Sequence, residues 1–339
     1  MAGRLGIGVV GLGRMGAMHA RCVARSVPGA RLVAVADLDR VRARSMAVEL
    51  DVAHTFESTE ELAGCRDVDA VLLATPSVRH PKDVMAAARA GKDILCEKPL
   101  SLDIAGSEAA LDAVATAGVR LQVGLMRRHD PDYRRAADRL SSGAAGRPVL
   151  FKSLQFDPEP PAAAFCDPRV SGGIFLDMGI HEFDLARWLM DDEVVEVHAW
   201  GSTAGVPDLA RVGDYDSAVV NLRFARGGTG AVELARTARY GEDVRTEVVC
   251  SEGSVRVGRS PYGQGSVGTR GGVTIDSADP SQPRFLTAYA AQVQDFIEAL
   301  AAGRAVSPTG EDALEALKIS LAARVSAERG VPVTPAAIA

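Results

Sequence analysis

No stretch of this 339-residue chain stays apolar long enough to cross a bilayer. Cysteine is sparse: Cys22, Cys65, Cys96, Cys166 and Cys250 are odd in number, scattered and without a CxxC spacing. That excludes a disulfide framework and argues against a zinc site, leaving small core residues of a protein suited to a reducing cytoplasm. The six histidines (His19, His54, His80, His129, His181, His198) have no HExxH or other metal-ligand spacing, so no metal is expected. There is no basic excess either. A net charge of -6 argues against nucleic acid or an anionic membrane as the main partner. The opening segment MAGRLGIGVVGLG carries one arginine and a short apolar run, but no small-residue cleavage site follows, so it reads as a strand rather than a leader. Internal repeats and low-complexity segments are absent.

What is present is the composition of a globular protein, 47% hydrophobic and 24% charged, long enough for two domains. Leu5 to Val10 reads as a buried strand. Gly11-Leu-Gly13-Arg-Met-Gly16 follows, then Met15, Met18, Cys22 and Val23 at helical spacing, then a strand from Arg31 to Ala36 that ends at Asp37. In this context each glycine has a task. Gly11 turns the chain out of the strand, Gly13 lets the backbone approach a pyrophosphate, and Gly16 lets the helix pack closely on the sheet. The helix N-terminus, with Arg14 and Met15, offers amide donors and a positive dipole end to phosphates. Asp37 lies 21 residues after Gly16. There a carboxylate accepts hydrogen bonds from a ribose diol and repels a 2′-phosphate, although Arg40 three residues on can soften that preference.

The alternation of strand and helix continues. Ser58-Thr-Glu-Glu61 has capping-box spacing, residues 69–75 and 93–97 read as strands, residues 81–90 and 102–117 as helices, and residues 120–125 as a last strand. This predicts a doubly wound, Rossmann-type parallel sheet over residues 1–125. Ligands of such sheets bind at the carboxyl ends of the strands, where Thr75-Pro76 and Glu97-Lys98 fall. With His80 they are the candidate cofactor residues of these strand ends. Residues 126–339 form the second domain, α+β with an open, mostly antiparallel sheet. It has a helix at 131–140, strands at 149–155, 194–200, 217–224, 230–237, 245–250 and 254–257, proline-rich or glycine-rich loops at 157–171, 207–213 and 262–272, and closing helices at 285–301 and 311–329.

One helix is expected from Ile174 to Met190. Asp177, His181 and Asp184 stand at i, i+4 and i+7 on it, along one face and among apolar neighbours. Polar groups in such company need a buried partner or a function.

At GLGRMG, Glu97-Lys98-Pro99, Gly124-Leu-Met-Arg-Arg-His-Asp130, Gly172 through Asp184, and Arg284-Phe-Leu-Thr-Ala-Tyr289, the chain resembles the Gfo/Idh/MocA oxidoreductases, and among them the inositol 2-dehydrogenases. The resemblance runs almost end to end. It implies an NAD-dependent dehydrogenase that oxidises a secondary hydroxyl of a cyclic polyol to a ketone. It implies catalytic roles for Lys98, Asp177 and His181, a cis peptide before Pro99, and a cofactor and substrate cleft lined by Arg127 and Tyr240. It also implies a homo-oligomer, a tetramer or dimer, built through the second sheet. Where inositol dehydrogenases carry His-Arg-Asn this chain has Gln155-Phe156-Asp157, and Glu242 replaces the second tyrosine of a Tyr-Gly-Tyr-Asp stretch. Asp157 is thus a candidate substrate residue. Asp157, Asp184 and Glu242 together leave room for an amino-cyclitol beside inositol. A dehydrogenase or reductase of another sugar and a non-catalytic NAD(H) sensor are the alternatives.

Overall fold

The computed structural model describes residues 4–259, 266–269, 272–275 and 285–338. The chain divides into two compact units, Met1–His129 with Leu286–Glu315, and Asp130–Phe285 with Ala316–Ala339.

The first unit is built on six parallel strands: β1 (Leu5–Val10), β2 (Ala30–Ala36), β3 (His54–Phe56), β4 (Ala70–Leu73), β5 (Asp93–Cys96) and β6 (Leu121–Val123). Their order is β3-β2-β1-β4-β5-β6. The strand sequence reverses direction between β1 and β4, which puts the switch point at the carboxyl end of β1, where the glycine turn begins. Helices α1 (Arg14–Ser26), α2 (Arg40–Leu50), α3 (Thr59–Ala63), α4 (His80–Arg89) and α5 (Ile104–Ala117) connect the strands. Side chains start several of them, Ser58 as the capping-box spacing predicts. Asp39 accepts from the amides of Val41 and Arg42, Asp103 from that of Gly106, and Ser58 from that of Glu61. Because α1 and α2 cover it, β2 is buried at six of its seven positions and reads as a continuous apolar run. The three-residue edge strand β3 has no legible pattern in the sequence, being too short to alternate.

The second unit carries α6 (Pro131–Ser141) and a six-stranded sheet of β7 (Pro148–Phe156), β8 (Val194–Ser202), β9 (Ser217–Phe224), β10 (Thr229–Ala235), β11 (Asp243–Cys250) and β12 (Ser254–Arg259), in the order β12-β11-β7-β10-β9-β8. Only the β7–β10 pair is parallel; the other pairs run antiparallel, as expected for this domain. Burial alternates along β9 and β10, so one face of the sheet is packed.

Four expectations need correction. The 157–171 stretch is not all loop: α7 (Ala163–Cys166) and α8 (Pro168–Ser171) form in it, the latter started by Asp167 and by Pro168 at its first position. The single helix expected from Ile174 is two, α9 (Gly173–Asp177) and α10 (Gly179–Met190), broken at Met178. The 207–213 loop contains a 3-10 helix, Pro207–Val212. Within the expected 262–272 loop, residues 266–269 form a strand, β13, paired antiparallel with β14 (Gly272–Ile275); the rest of it lies outside the described residues.

The chain then supplies α11 (Leu286–Ala302) to the first unit, where Val293, Phe296, Ile297 and Ala299 enter the core with Ile7, Val9, Leu32 and Val35. Gln122 Nε2 donates to the Gln292 carbonyl (3.3 Å) and Arg120 Nη1 to that of Ala299 (3.4 Å), which fastens the helix beside β6. The last long helix, α12 (Gly310–Arg329), begins in the first unit and ends in the second. No helix among the described residues is long and apolar enough to cross a membrane.

Candidate active site

In the first unit, the candidate cofactor residues gather at the carboxyl ends of β1, β2, β4 and β5. Gly11 has φ +81, and a Cβ there would lie 2.7 Å from the Ala74 carbonyl carbon and the Thr75 nitrogen. A Cβ on Gly16 would collide with the Gly11 carbonyl oxygen. Gly13, by contrast, has nothing within 4 Å of where a Cβ would be. Two glycines are thus demanded by the protein itself, and the middle one faces open space. That is the cradle a pyrophosphate needs at the start of α1. Asp37 is 9% exposed; its Oδ2 accepts from the Leu12 amide (2.7 Å) and its Oδ1 from the Asp39 amide (2.8 Å). The carboxylate therefore braces the glycine turn. Its basic neighbour is Arg42 (3.3 Å), whereas Arg40 is engaged with Glu57 at 2.7 Å.

Thr75 donates its hydroxyl to Asp83 (2.7 Å), a fully buried carboxylate that also takes the Thr59 hydroxyl and the Arg79 guanidinium. His80 is buried with Nδ1 2.6 Å from the Pro99 carbonyl and Nε2 2.7 Å from the Thr75 carbonyl. Both of its nitrogens face the protein, and it acts as a strut between the β4 and β5 ends. The Lys98–Pro99 peptide is cis, as the family resemblance implies. Arg127 is buried in the short helical turn that follows β6.

Sequence reasoning missed the group behind Lys98. His19, fully buried on α1, places Nε2 2.6 Å from Glu97 Oε1, while Glu97 Oε2 accepts the Lys98 amide at 3.2 Å. The ring edge of Tyr289 packs on His19, with centroids 6.0 Å apart. Burial works to raise the Glu97 pKa, but the His19 hydrogen bond and the Lys98 charge outweigh it and hold the carboxyl below its ordinary value. The signal was there: His19 shares the inward face of α1 with Gly16, Ala20 and Val23.

In the second unit, β7, β10 and β11 end or begin side by side, since Phe156 pairs with Ala235 on one side and Asp243 on the other. Asp157, Arg236, Tyr240 and Glu242 therefore leave the sheet at one corner. The Asp157 amide donates to the Ala235 carbonyl (2.8 Å), and Gln155 Nε2 lies 3.4 Å from Asp157 Oδ1. Tyr240 is 44% exposed, with its hydroxyl 3.5 Å from Asp243 Oδ2, and Glu242 is exposed. The next residue along β10 brings in Asp177, because Arg236 Nη1 is 3.1 Å from Asp177 Oδ2. Asp177 ends α9, and His181, 5% exposed, sits in the first turn of α10. Asp184 is buried further along α10; Glu182, fully buried, meets the Ser153 hydroxyl of β7.

A dinucleotide cradle in the first unit, with Asp177 and the buried His181 beside a polar sheet corner in the second, is the equipment of a pyridine-nucleotide oxidoreductase. Residues 5–125 match the model of the oxidoreductase family with an NAD-binding Rossmann fold, and residues 133–256 match that of the GFO/IDH/MocA C-terminal domain. The chain belongs to this Gfo/Idh/MocA oxidoreductase family. It is 38% identical over 325 residues to a scyllo-inositol 2-dehydrogenase (NAD(+)) of Bacillus subtilis, covering 96% of this chain and 94% of that one. It is 35% identical to a myo-inositol 2-dehydrogenase of Thermotoga maritima, covering 95% and 96%. Among solved structures it is similar to scyllo-inositol dehydrogenase from Lactobacillus casei with bound NAD(H) and scyllo-inositol, with a TM-score of 0.90, 30% identity, and coverage of 98% and 99%. The open space at Gly13 and the carboxylate at Asp37 fit NAD.

Proposed function

We propose that this protein is an NAD-dependent dehydrogenase that oxidises one secondary hydroxyl of an inositol to the ketone. The observation that carries the reading is the Arg236-held Asp177 four residues before the buried His181, in a chain whose other unit ends its dinucleotide cradle at Lys98. Near-full-length similarity to inositol dehydrogenases supports the substrate class. Glu242 stands exposed, which leaves fewer carboxylates for an ammonium-bearing cyclitol, so the neutral polyol is the reading adopted.

The chemistry supplied by bound NAD+ is acceptance of the hydride from the carbinol carbon. Gly11, Gly13, Gly16 and the α1 N-terminus, with Arg14 and Met15, hold the pyrophosphate. Asp37 holds the adenosine ribose diol. Thr75, Pro76, Glu97 and Arg127 line the remainder of the cofactor position, with His80 behind them. His181 takes the hydroxyl proton, which neutral imidazole can do near pH 7. Asp177 orients that exchange, and Lys98 stabilises the alkoxide charge as the C–H bond breaks. The ledger closes with one hydride to the cofactor, one proton to His181 and a carbonyl left on the ring. Asp157 and Tyr240 meet the hydroxyls that do not react. The protein acts in a reducing, cytoplasmic compartment, consistent with the five free cysteines, and as a homo-oligomer.

The test is absorbance at the reduced-nicotinamide band with NAD+ and a panel of inositols, amino-inositols and aldoses. Turnover of an inositol is expected. Lys98→Met and His181→Ala each lower kcat by about 100-fold or more, and the double variant is little worse than the worse single one. A protein that binds NADH yet turns over no polyol is a sensor, and full activity in His181→Ala moves the base elsewhere.

A further inference from the structure

In the second unit Arg236 is almost wholly enclosed, 1% exposed, and it touches two carboxylates at once. Nη1 lies 3.1 Å from Asp177 Oδ2 and Nη2 lies 3.4 Å from Asp214 Oδ2. Asp214 is itself 3% exposed, and its other oxygen accepts the Ile174 amide at 2.8 Å. The connections therefore form a closed ring. Ile174, near the start of α9, is tied to Asp214, Asp214 to Arg236, and Arg236 to Asp177, the last residue of the same helix. A five-residue helix cannot hold its own geometry in isolation. Here both of its ends are fixed from outside by one guanidinium and one carboxylate. Gly173 makes room for this: it has φ +71, and a Cβ there would stand 2.7 Å from Asp214 Oδ1. Arg236 is fixed in turn, since its amide donates to the Asp216 carbonyl (2.8 Å). The carboxylate of Asp216 accepts from the amides of Gly205 and Val206.

We propose that Arg236 is the positioning residue of the active site, and that with Asp214 it fixes both the direction and the charge of the Asp177 carboxylate that serves His181. The inference rests on the catalytic reading of Asp177 and His181 given above. A guanidinium is suited to the task because its planar fork can address two carboxylates in fixed directions. The two neighbours pull opposite ways on Asp177. Arg236 favours its charged form, and Asp214, a like charge, disfavours it. The other titratable groups around this ring are Tyr215 next to Asp214, Cys166 on α7, His181 on α10 and Asp157 at the end of β7. Burial pushes the Cys166 thiol up, so it stays neutral, and burial likewise raises the carboxyl of Asp214. The positive charge in the ring is therefore the guanidinium.

The consequence is a pair of opposed pH shifts. The acid limb of kcat/KM belongs to Asp177 and His181 as a coupled pair. Removing the guanidinium leaves more negative charge beside both groups and raises their affinity for protons. Removing the Asp214 charge does the reverse. The experiment measures kcat/KM against pH for wild type, Arg236→Gln, Arg236→Lys, Asp214→Asn and Asp177→Asn, with NADH affinity followed by fluorescence and folding by thermal melting. Arg236→Gln should move the acid limb up by about one pH unit or more. Asp214→Asn should move it down. Arg236→Lys should keep the limb near its wild-type position and lose about 10-fold in kcat/KM, because a point charge replaces the fork. NADH affinity should not change in any of them. If Arg236→Gln fails to fold, the downward shift in Asp214→Asn beside an unmoved limb and a lowered kcat/KM in Arg236→Lys carries the test. A uniform loss of activity with the limb unmoved, or a limb that moves the same way in Arg236→Gln and Asp214→Asn, overturns the proposal. Full activity in Asp177→Asn overturns the catalytic reading along with it. A dead Asp177→Asn beside unshifted Arg236→Gln and Asp214→Asn overturns the positioning role alone.

Discussion

Replacing His19 by alanine strands a carboxylate. Glu97 is 7% exposed and has two partners, the His19 ring at 2.6 Å and the Lys98 amide at 3.2 Å. Breaking a buried charged pair by removing one member costs about 3–5 kcal/mol, because the other is left desolvated. The surviving amide bond places the expected loss at the lower end, about 3 kcal/mol, or roughly 6–12 °C in Tm for a unit of this size. Both tryptophans, Trp188 and Trp200, lie in the second unit, so the first is better followed by far-UV circular dichroism in urea than by fluorescence. His19→Gln, which keeps a donor, should recover part of the loss. The pH dependence has a definite sign. Glu97 has a depressed pKa, so its contribution is present above the ordinary value of 4.5 and disappears as pH falls through the depressed one. The difference between wild type and Glu97→Gln should therefore be full at pH 6–8 and shrink below about pH 4. In a double-mutant cycle the two single losses should not add, since each removes the same interaction. A His19→Ala loss below about 1 kcal/mol, or strict additivity with Glu97→Gln, would refute the reasoning.

The glycine turn offers a paired test. Gly13→Ala meets no protein atom within 4 Å, so it should fold as wild type while losing about 10-fold or more in NAD affinity by calorimetry; Gly16→Ala should lower Tm as well, because its Cβ collides with the Gly11 carbonyl. Cofactor choice is expected to favour NAD over NADP in kcat/KM. Asp37→Ser should narrow that ratio by freeing Arg42, and should weaken both cofactors because the Leu12 amide loses its acceptor. Equal use of the two cofactors by the wild type would show that Asp37 does not face the ribose.

Much of this protein is local and could be read from the chain. The GLGRMG turn between a buried strand and a helix, with Asp37 after the next strand, is set by short-range sterics: a tight turn and a close helix approach admit only glycine. The Asp39, Ser58 and Asp103 caps are equally local, each side chain bonding an amide two or three residues away. Asp177 and His181 were visible because four residues is one helical turn, and polar groups in an apolar run need a reason. The sequence did not show the break at Met178, because the apolar pattern continues through it. Nor did it show the ring through Asp214 and Arg236, residues 37 and 59 positions beyond Asp177, that holds both ends of α9. Arg236 left one trace: in the alternation of β10 it continues the buried positions Gly230, Val232 and Leu234. Its partners could not be inferred, since contacts of high sequence separation are fixed only once the strands have paired. The same holds for His19 and Glu97, 78 residues apart. It holds too for α11, which follows the second sheet in the chain but belongs to the first unit. Local sterics and periodicity wrote the glycine turn and the Asp177–His181 spacing into the sequence, and only packing decided which buried charges surround them.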